Sequence, residues 1–100
     1  MIKYEDFSKL KMKVGTIVDV KDHPKADKLY VLSVDIGSET RQVVAGMKQH
    51  YIPEEMKGKQ VIIVSNLESA TIRGIESCGM ILAAEKDGDV VLLGVESKIK

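Results

Sequence analysis

Apolar residues in this chain gather into short runs, each broken by glycine, proline or a charged turn. Met12 to Lys21 is rich in β-branched side chains (Val14, Thr16, Ile17, Val18, Val20), which pack well on a pleated surface and predict a first strand. Gly15 inside that run suggests a bulge or a sharp bend. Pro24 has no N–H for a ladder, so His23-Pro24-Lys25-Ala26-Asp27 reads as a loop. A second strand is expected over Leu29 to Ile36, and Gly37-Ser38-Glu39 turns it into a third over Arg41 to Ala45, which Gly46 ends. Helical character is confined to two places. Asp6 is placed to cap a short turn running to Leu10, and Met47 to Met56 contains Pro53-Glu54-Glu55. Proline sacrifices no hydrogen bond at a helix start, and the two acids suit the positive end of the dipole. Beyond Gly58, the strongly apolar Gln60 to Ser65 predicts a central fourth strand, and Asn66 to Ser77 reads as a long loop. Cys78 to Ala84 is the next strand, and Asp87-Gly88 is a type I′ hairpin signal leading into Val90 to Leu93.

The predicted class is therefore all-β, because short strands with regularly spaced turn signals indicate a sandwich or barrel. A helical plug between strands three and four is the layout of the OB-fold, a five-stranded Greek-key barrel. An SH3-like barrel is the nearest rival, but it does not ordinarily carry that plug. One hundred residues enclose one hydrophobic core, so residues 1–100 are expected to form a single domain.

Composition narrows the biology. Only Tyr4, Phe7, Tyr30 and Tyr51 are aromatic, so aliphatic side chains and methionine must fill most of the core. No apolar run approaches the roughly 20 residues that cross a bilayer, and the N-terminus has no signal-peptide core. A cytoplasmic protein without membrane attachment is expected. Cys78 is the single cysteine, and His23 and His50 lack metal-ligand spacing, so no disulfide, metal or cofactor is expected. Fifteen Lys and Arg balance fifteen Asp and Glu. Nucleic-acid binders are commonly basic, so binding of that kind requires cations gathered on one face.

Catalytic constellations are missing: there is no GxGxxG, Walker A, GxSxG or HExxH sequence. Cys78 reads as a small, partly buried thiol, and Glu54-Glu55 as a helix-start pair. No catalysis is expected. Binding candidates are better defined. Lys25 and Lys28 flank a strand end at a barrel mouth, a place suited to phosphate contacts. His23 either donates to a phosphate or stacks on a base, or else shapes its loop against Pro24. In the Asn66 to Ser77 loop, Arg73 offers a planar fork for phosphate or a base edge. Ser77 offers a hydroxyl, Gly79 allows close backbone approach, and Met80 offers a surface for an unstacked base. Alternatively, Ile72 and Ile75 seal the barrel while Ser77 bonds the backbone. Arg41 either shares an open face with Lys28 or pairs with Glu39 or Asp35.

Taken in order, His23-Pro24-Lys25-Ala26-Asp27-Lys28-Leu29-Tyr30, Arg41-Gln42-Val43-Val44-Ala45-Gly46, Tyr51-Ile52-Pro53-Glu54-Glu55-Met56-Lys57-Gly58, Asn66-Leu67 and Ser77-Cys78-Gly79-Met80 resemble the tRNA-binding domain of several translation proteins. That domain occurs at the C-terminus or as the β subunit of methionyl-tRNA synthetase and in free-standing tRNA-binding proteins, and an export-associated chaperone shares its fold. The resemblance implies an OB-fold that grips tRNA by shape, with contacts at Lys28, Arg41, Ser77 and Met80. It also implies a homodimer, with methionyl-tRNA synthetase as a further partner. Two departures stand out. Glu68-Ser69-Ala70 comes after Asn66-Leu67 where relatives often carry lysines, which reduces phosphate attraction. Only Gly94 to Lys100 lies beyond the expected barrel, where relatives use a longer segment for dimer contacts. The expected function is structure-specific tRNA binding. The alternative is an OB-fold chaperone for unfolded or exported polypeptides, which the neutral charge and the missing lysines favour.

Overall fold

The structure, a computed structural model, describes residues 1–99. Its strands are β1 (Met12–Asp22), β2 (Tyr30–Asp35), β3 (Thr40–Ala45), β4 (Gln60–Val64), β5 (Ala70–Ile72), β6 (Ile75–Ser77), β7 (Met80–Ile81), β8 (Ala83–Lys86) and β9 (Asp89–Leu92). Two helices of one turn each, α1 (Tyr4–Phe7) and α2 (Pro53–Met56), complete the described elements. The main sheet has the order β3-β2-β1-β4-β7, all neighbours antiparallel, and α2 lies between β3 and β4. This is the OB-fold barrel predicted from the strand order.

β1 is the strand on which the barrel turns. Its first part, Met12 to Thr16, pairs with β4, and its second, Thr16 to Asp22, pairs with β2. The bulge that the glycine suggested falls instead at Val18, since Ile17 opposes Val34 while Asp19 opposes Ser33. An extra residue on one strand reverses the facing of the residues beyond it. Gly15 and Ile17 point inward before it and Val20 after it, so both halves of a long, bent strand face one core. Gly15 has a different task. A Cβ there would sit 2.5 Å from a Val34 methyl, so the residue lets β1 and β2 approach closely.

Inward residues meet in a core of Ile17, Tyr30, Leu32, Val34, Val43, Met56, Val61 and Ile63, all nearly inaccessible. Met56 on α2 closes one end of the barrel. The helical stretch expected over Met47 to Met56 contracts to the turn that starts at Pro53. Glu55 accepts the Ile52 N–H at 2.9 Å, satisfying a donor that the helix cannot. Gly58 N–H to Ile17 O and Ile17 N–H to Lys59 O then tie the plug to β1. Tyr30 donates its hydroxyl to Tyr51 O at 2.7 Å, and the Tyr51 hydroxyl accepts the Leu92 N–H.

Three further expectations change. The N-terminal turn begins at Tyr4 rather than at Asp6, whose carboxylate pairs with Lys9 at 3.7 Å instead of capping. The Cys78 to Ala84 strand divides into β7, on the main sheet, and β8, in a separate ribbon with β9. Asp87 and Gly88 both have positive φ at the tip of that ribbon, as a type I′ turn requires. The Asn66 to Ser77 loop contains the β5–β6 hairpin, whose two-residue turn is Arg73-Gly74, both again at positive φ.

Candidate nucleic-acid interface

The β5–β6 hairpin completes the barrel wall beside β3, and the seam there is built mostly from side chains. One backbone bond crosses it, from Cys78 N–H to Gln42 O at 2.7 Å. The Gln42 carboxamide donates to Glu76 O at 2.8 Å. The Ser77 hydroxyl accepts the buried Val44 N–H at 3.0 Å and donates to Gly79 O. Arg41 donates from Nη1 to Ser65 O at 2.7 Å and to Cys78 O at 3.4 Å, while its Nε meets the Glu39 carboxylate. Gly79, at φ +134°, fits because a Cβ would stand 3.2 Å from Val64 O and 3.0 Å from Ile63 Cδ1.

The candidate residues therefore separate into two groups. Ser77 is 5% exposed and its hydroxyl is spent inside the chain, which is the backbone-bonding alternative and not a surface donor. Arg41 is mostly covered, pairs with Glu39 and braces the seam. Arg41 and Lys28 do not share an end of the sheet. Arg41 opposes Val34, whereas Lys28 precedes Tyr30, which opposes Ala45, four residues further along β3. At about 3.3 Å per residue that is roughly 13 Å.

Lys25, Lys28, Arg73 and Met80 are exposed. Among the described residues, none of these three cations forms an ion pair. Lys25 and Arg73 also come together, as the Arg73 Nη2 rests on Lys25 O at 3.3 Å. Beside the seam lies a shallow cleft of about 120 Å³, lined by Val44, Leu67, Ile72, Ser77, Gly79 and Met80. Glu68, at a position where lysine was the expected residue, also faces the cleft.

His23 is buried, 4% exposed, with its ring between the β1–β2 loop and the hairpin. Both ring nitrogens bond backbone groups of the chain, the Lys25 N–H and Ile72 O, which is the arrangement of the loop-shaping alternative. Asn66 is a structural contributor that its sequence context did not reveal. Its carboxamide accepts the Lys11 N–H at 2.8 Å and donates to Lys9 O at 2.7 Å, which copies a strand pairing and pins the N-terminal arm. Cys78 is poorly suited to nucleophilic chemistry. Partial burial first, then its bond to Glu76 and that carboxylate's charge, push its thiol pKa upward, the reverse of what a reactive thiolate needs. No group of three or more possible metal-ligating side chains occurs among the described residues, and no described helix is long and apolar enough to cross a membrane.

Known proteins share this fold. The methionine–tRNA ligase of Pyrococcus horikoshii is 54% identical over 99 residues, which cover 99% of this chain and 14% of that protein. This chain therefore spans about one-seventh of the length of that relative. The crystal structure of a MetRS-related protein from Pyrococcus horikoshii superposes with a TM-score of 0.90 at 36% identity, covering 99% of this chain and 92% of the other. The chaperone CsaA of Bacillus anthracis superposes with a TM-score of 0.88 at 28% identity, covering 99% and 93%. The sequence model described as "Putative tRNA binding domain" matches residues 12–100, and the chain belongs to that family.

Proposed function

We propose that this chain is a tRNA-binding module in which residues 1–100 act as one OB domain, either free-standing or as a trans-acting β subunit of methionyl-tRNA synthetase. Its role is binding, with no chemistry of its own, and its setting is the cytoplasm. The observation that carries this reading is that Lys25 and Arg73, 48 residues apart, are brought together by the Arg73 guanidinium on Lys25 O, with both side chains exposed and free of ion pairs among the described residues. Lys25, Lys28 and Arg73 contact phosphates, and Met80 packs on an unstacked base. Arg41 holds the seam first and offers its remaining Nη2 donors to a phosphate, while Ser77 supports the face from inside. The kinship with a methionine–tRNA ligase and a MetRS-related protein supports the choice of partner.

Filter binding of tRNA against salt concentration tests the proposal. Each cation that neutralises one phosphate adds about 0.9 to the slope of log K against log salt. Lys25→Ala, Lys28→Ala and Arg73→Ala should each flatten the slope by about one, whereas Met80→Ala should lower affinity at constant slope. No complex at low salt would refute the reading.

A second reading has one observation in its favour: an apolar cleft at Leu67, Ile72 and Met80 on a chain of zero net charge that resembles the chaperone CsaA. Suppression of aggregation that salt hardly alters, without tRNA binding, would select it. In either reading we propose a homodimer. Ile2, Tyr4, Phe7, Leu10 and Met12 at the N-terminus are exposed apolar residues that a second copy would cover, and sedimentation equilibrium tests this.

A further inference from the structure

The β1–β2 loop and the tip of the β5–β6 hairpin share no ladder, and two side chains join them, His23 from the loop and Arg73 from the hairpin. His23 Nδ1 accepts the Lys25 N–H at 3.0 Å. Only a ring nitrogen without a hydrogen can accept, so the proton sits on Nε2, which donates to Ile72 O at 3.0 Å. Both nitrogens are spent, and the ring is buried. One bond fixes the amide of Lys25 itself. The other fixes the carbonyl immediately before Arg73, whose guanidinium then reaches Lys25 O.

A hairpin with three residues in each strand is marginal by itself, and its tip needs an external tether to hold one position. Arg73 is also held at φ +51°, a conformation that a non-glycine residue keeps only where its surroundings impose it. We infer that His23 is a positioning residue: it latches the hairpin to the loop and so presents Lys25 and Arg73 as one preorganised phosphate-binding pair. His23 acts through the two cations and does not touch the nucleic acid. The inference rests on the tRNA reading and adds to it the element that assembles the site.

The two halves of the latch can be separated. An asparagine side chain bonds the amide two residues on, so His23→Asn keeps the Lys25 half but is too short for Ile72. Binding of unfractionated tRNA is measured against salt for the wild type, His23→Asn, Arg73→Ala and the double variant. One neutralised phosphate contributes about eightfold in affinity at about 0.1 M salt. His23→Asn is therefore expected to weaken binding about three- to tenfold, with a slope lower by about one. On the Arg73→Ala background the same change should alter affinity less than about twofold, because the cation it positions is gone. An unchanged slope in His23→Asn, or an equal loss on both backgrounds, overturns the inference. Ring 15N spectra of the wild type provide a measurement that needs no variant to fold. They should show the neutral Nε2–H tautomer, with ring shifts that stay fixed as tRNA is added, and ring shifts that move with tRNA overturn the latch. If the wild type binds no tRNA, the underlying reading fails first and the inference falls with it.

Discussion

Arg41→Ala removes a side chain that the seam uses before any ligand does. Its Nη1 bond to Ser65 O, at 2.7 Å, is charge-assisted and nearly ideal in length, and such a bond contributes about 1.5–3 kcal/mol. The second bond, to Cys78 O at 3.4 Å, is long and adds little. The ion pair with Glu39, whose side chain is half exposed, adds about 0.2–1 kcal/mol. Alanine also leaves the carbonyl of Ser65, a buried residue, without its partner. Together these losses come to about 2–4 kcal/mol, or roughly 10–30 °C in melting temperature for a chain of this length. The chain has no tryptophan, so urea unfolding is best monitored by circular dichroism. The expected result is a lower midpoint with an unchanged m-value. Arg41→Lys keeps the charge but not the fork, so it should retain most of the salt slope of tRNA binding and still lose about 1 kcal/mol or more. A stability change below about 0.5 kcal/mol in Arg41→Ala, with tRNA binding sharply reduced, would refute the reasoning, because the guanidinium would then be a free phosphate ligand.

The same geometry sets three other outcomes. Arg73→Gly should change stability by less than about 1 kcal/mol in urea, since relief of the positive φ is offset by loss of the bond to Lys25 O, yet lower the tRNA salt slope by about one. Ser77→Ala should cost about 1–3 kcal/mol by orphaning the buried Val44 N–H while leaving the salt slope unaltered; a changed slope would mean that the hydroxyl reaches the ligand. Burial, and then the Asp22 charge, raise the Tyr30 phenol above its ordinary pKa of 10.0. The unfolded chain therefore releases this proton first, and the stability it contributes is whole below about pH 10 and lost as pH rises toward the folded value. Urea midpoints at about pH 9 and 11 should fall less in Tyr30→Phe than in the wild type.

Much of the barrel was legible because its signals are local. Runs of Val and Ile marked β1 to β4, Pro53-Glu54-Glu55 marked the plug, and Asp87-Gly88 marked its turn. The β5–β6 hairpin escaped because arginine is a poor mark of a left-handed turn residue, although Gly74 beside it carried part of the signal. The bulge at Val18 was visible only as a change of inward phase from Ile17 to Val20, which Gly15 obscured. The site was harder to read for a general reason. Arginine, serine and histidine serve a phosphate or a backbone group equally well, and the choice depends on partners remote in sequence. For Arg41 the partner is Ser65, for Ser77 it is Val44, and for His23 it is Ile72. Lys25 and Lys28 stayed available because neither found such a partner among the described residues.

The side-chain seam between β3 and the hairpin also has a dynamic meaning. β1 with β2 and β2 with β3 are each held by ladders of six residue pairs, whereas this edge depends on one backbone bond and three hooked side chains. Opening it breaks few ladder bonds, so the free energy of parting there lies well below that of global unfolding. A ligand that binds only the closed edge lowers the open population by mass action, in proportion to its concentration over its dissociation constant. A nucleic acid lying from Arg41 to the Lys25–Arg73 pair would span that edge, acting as the missing stitches of the barrel.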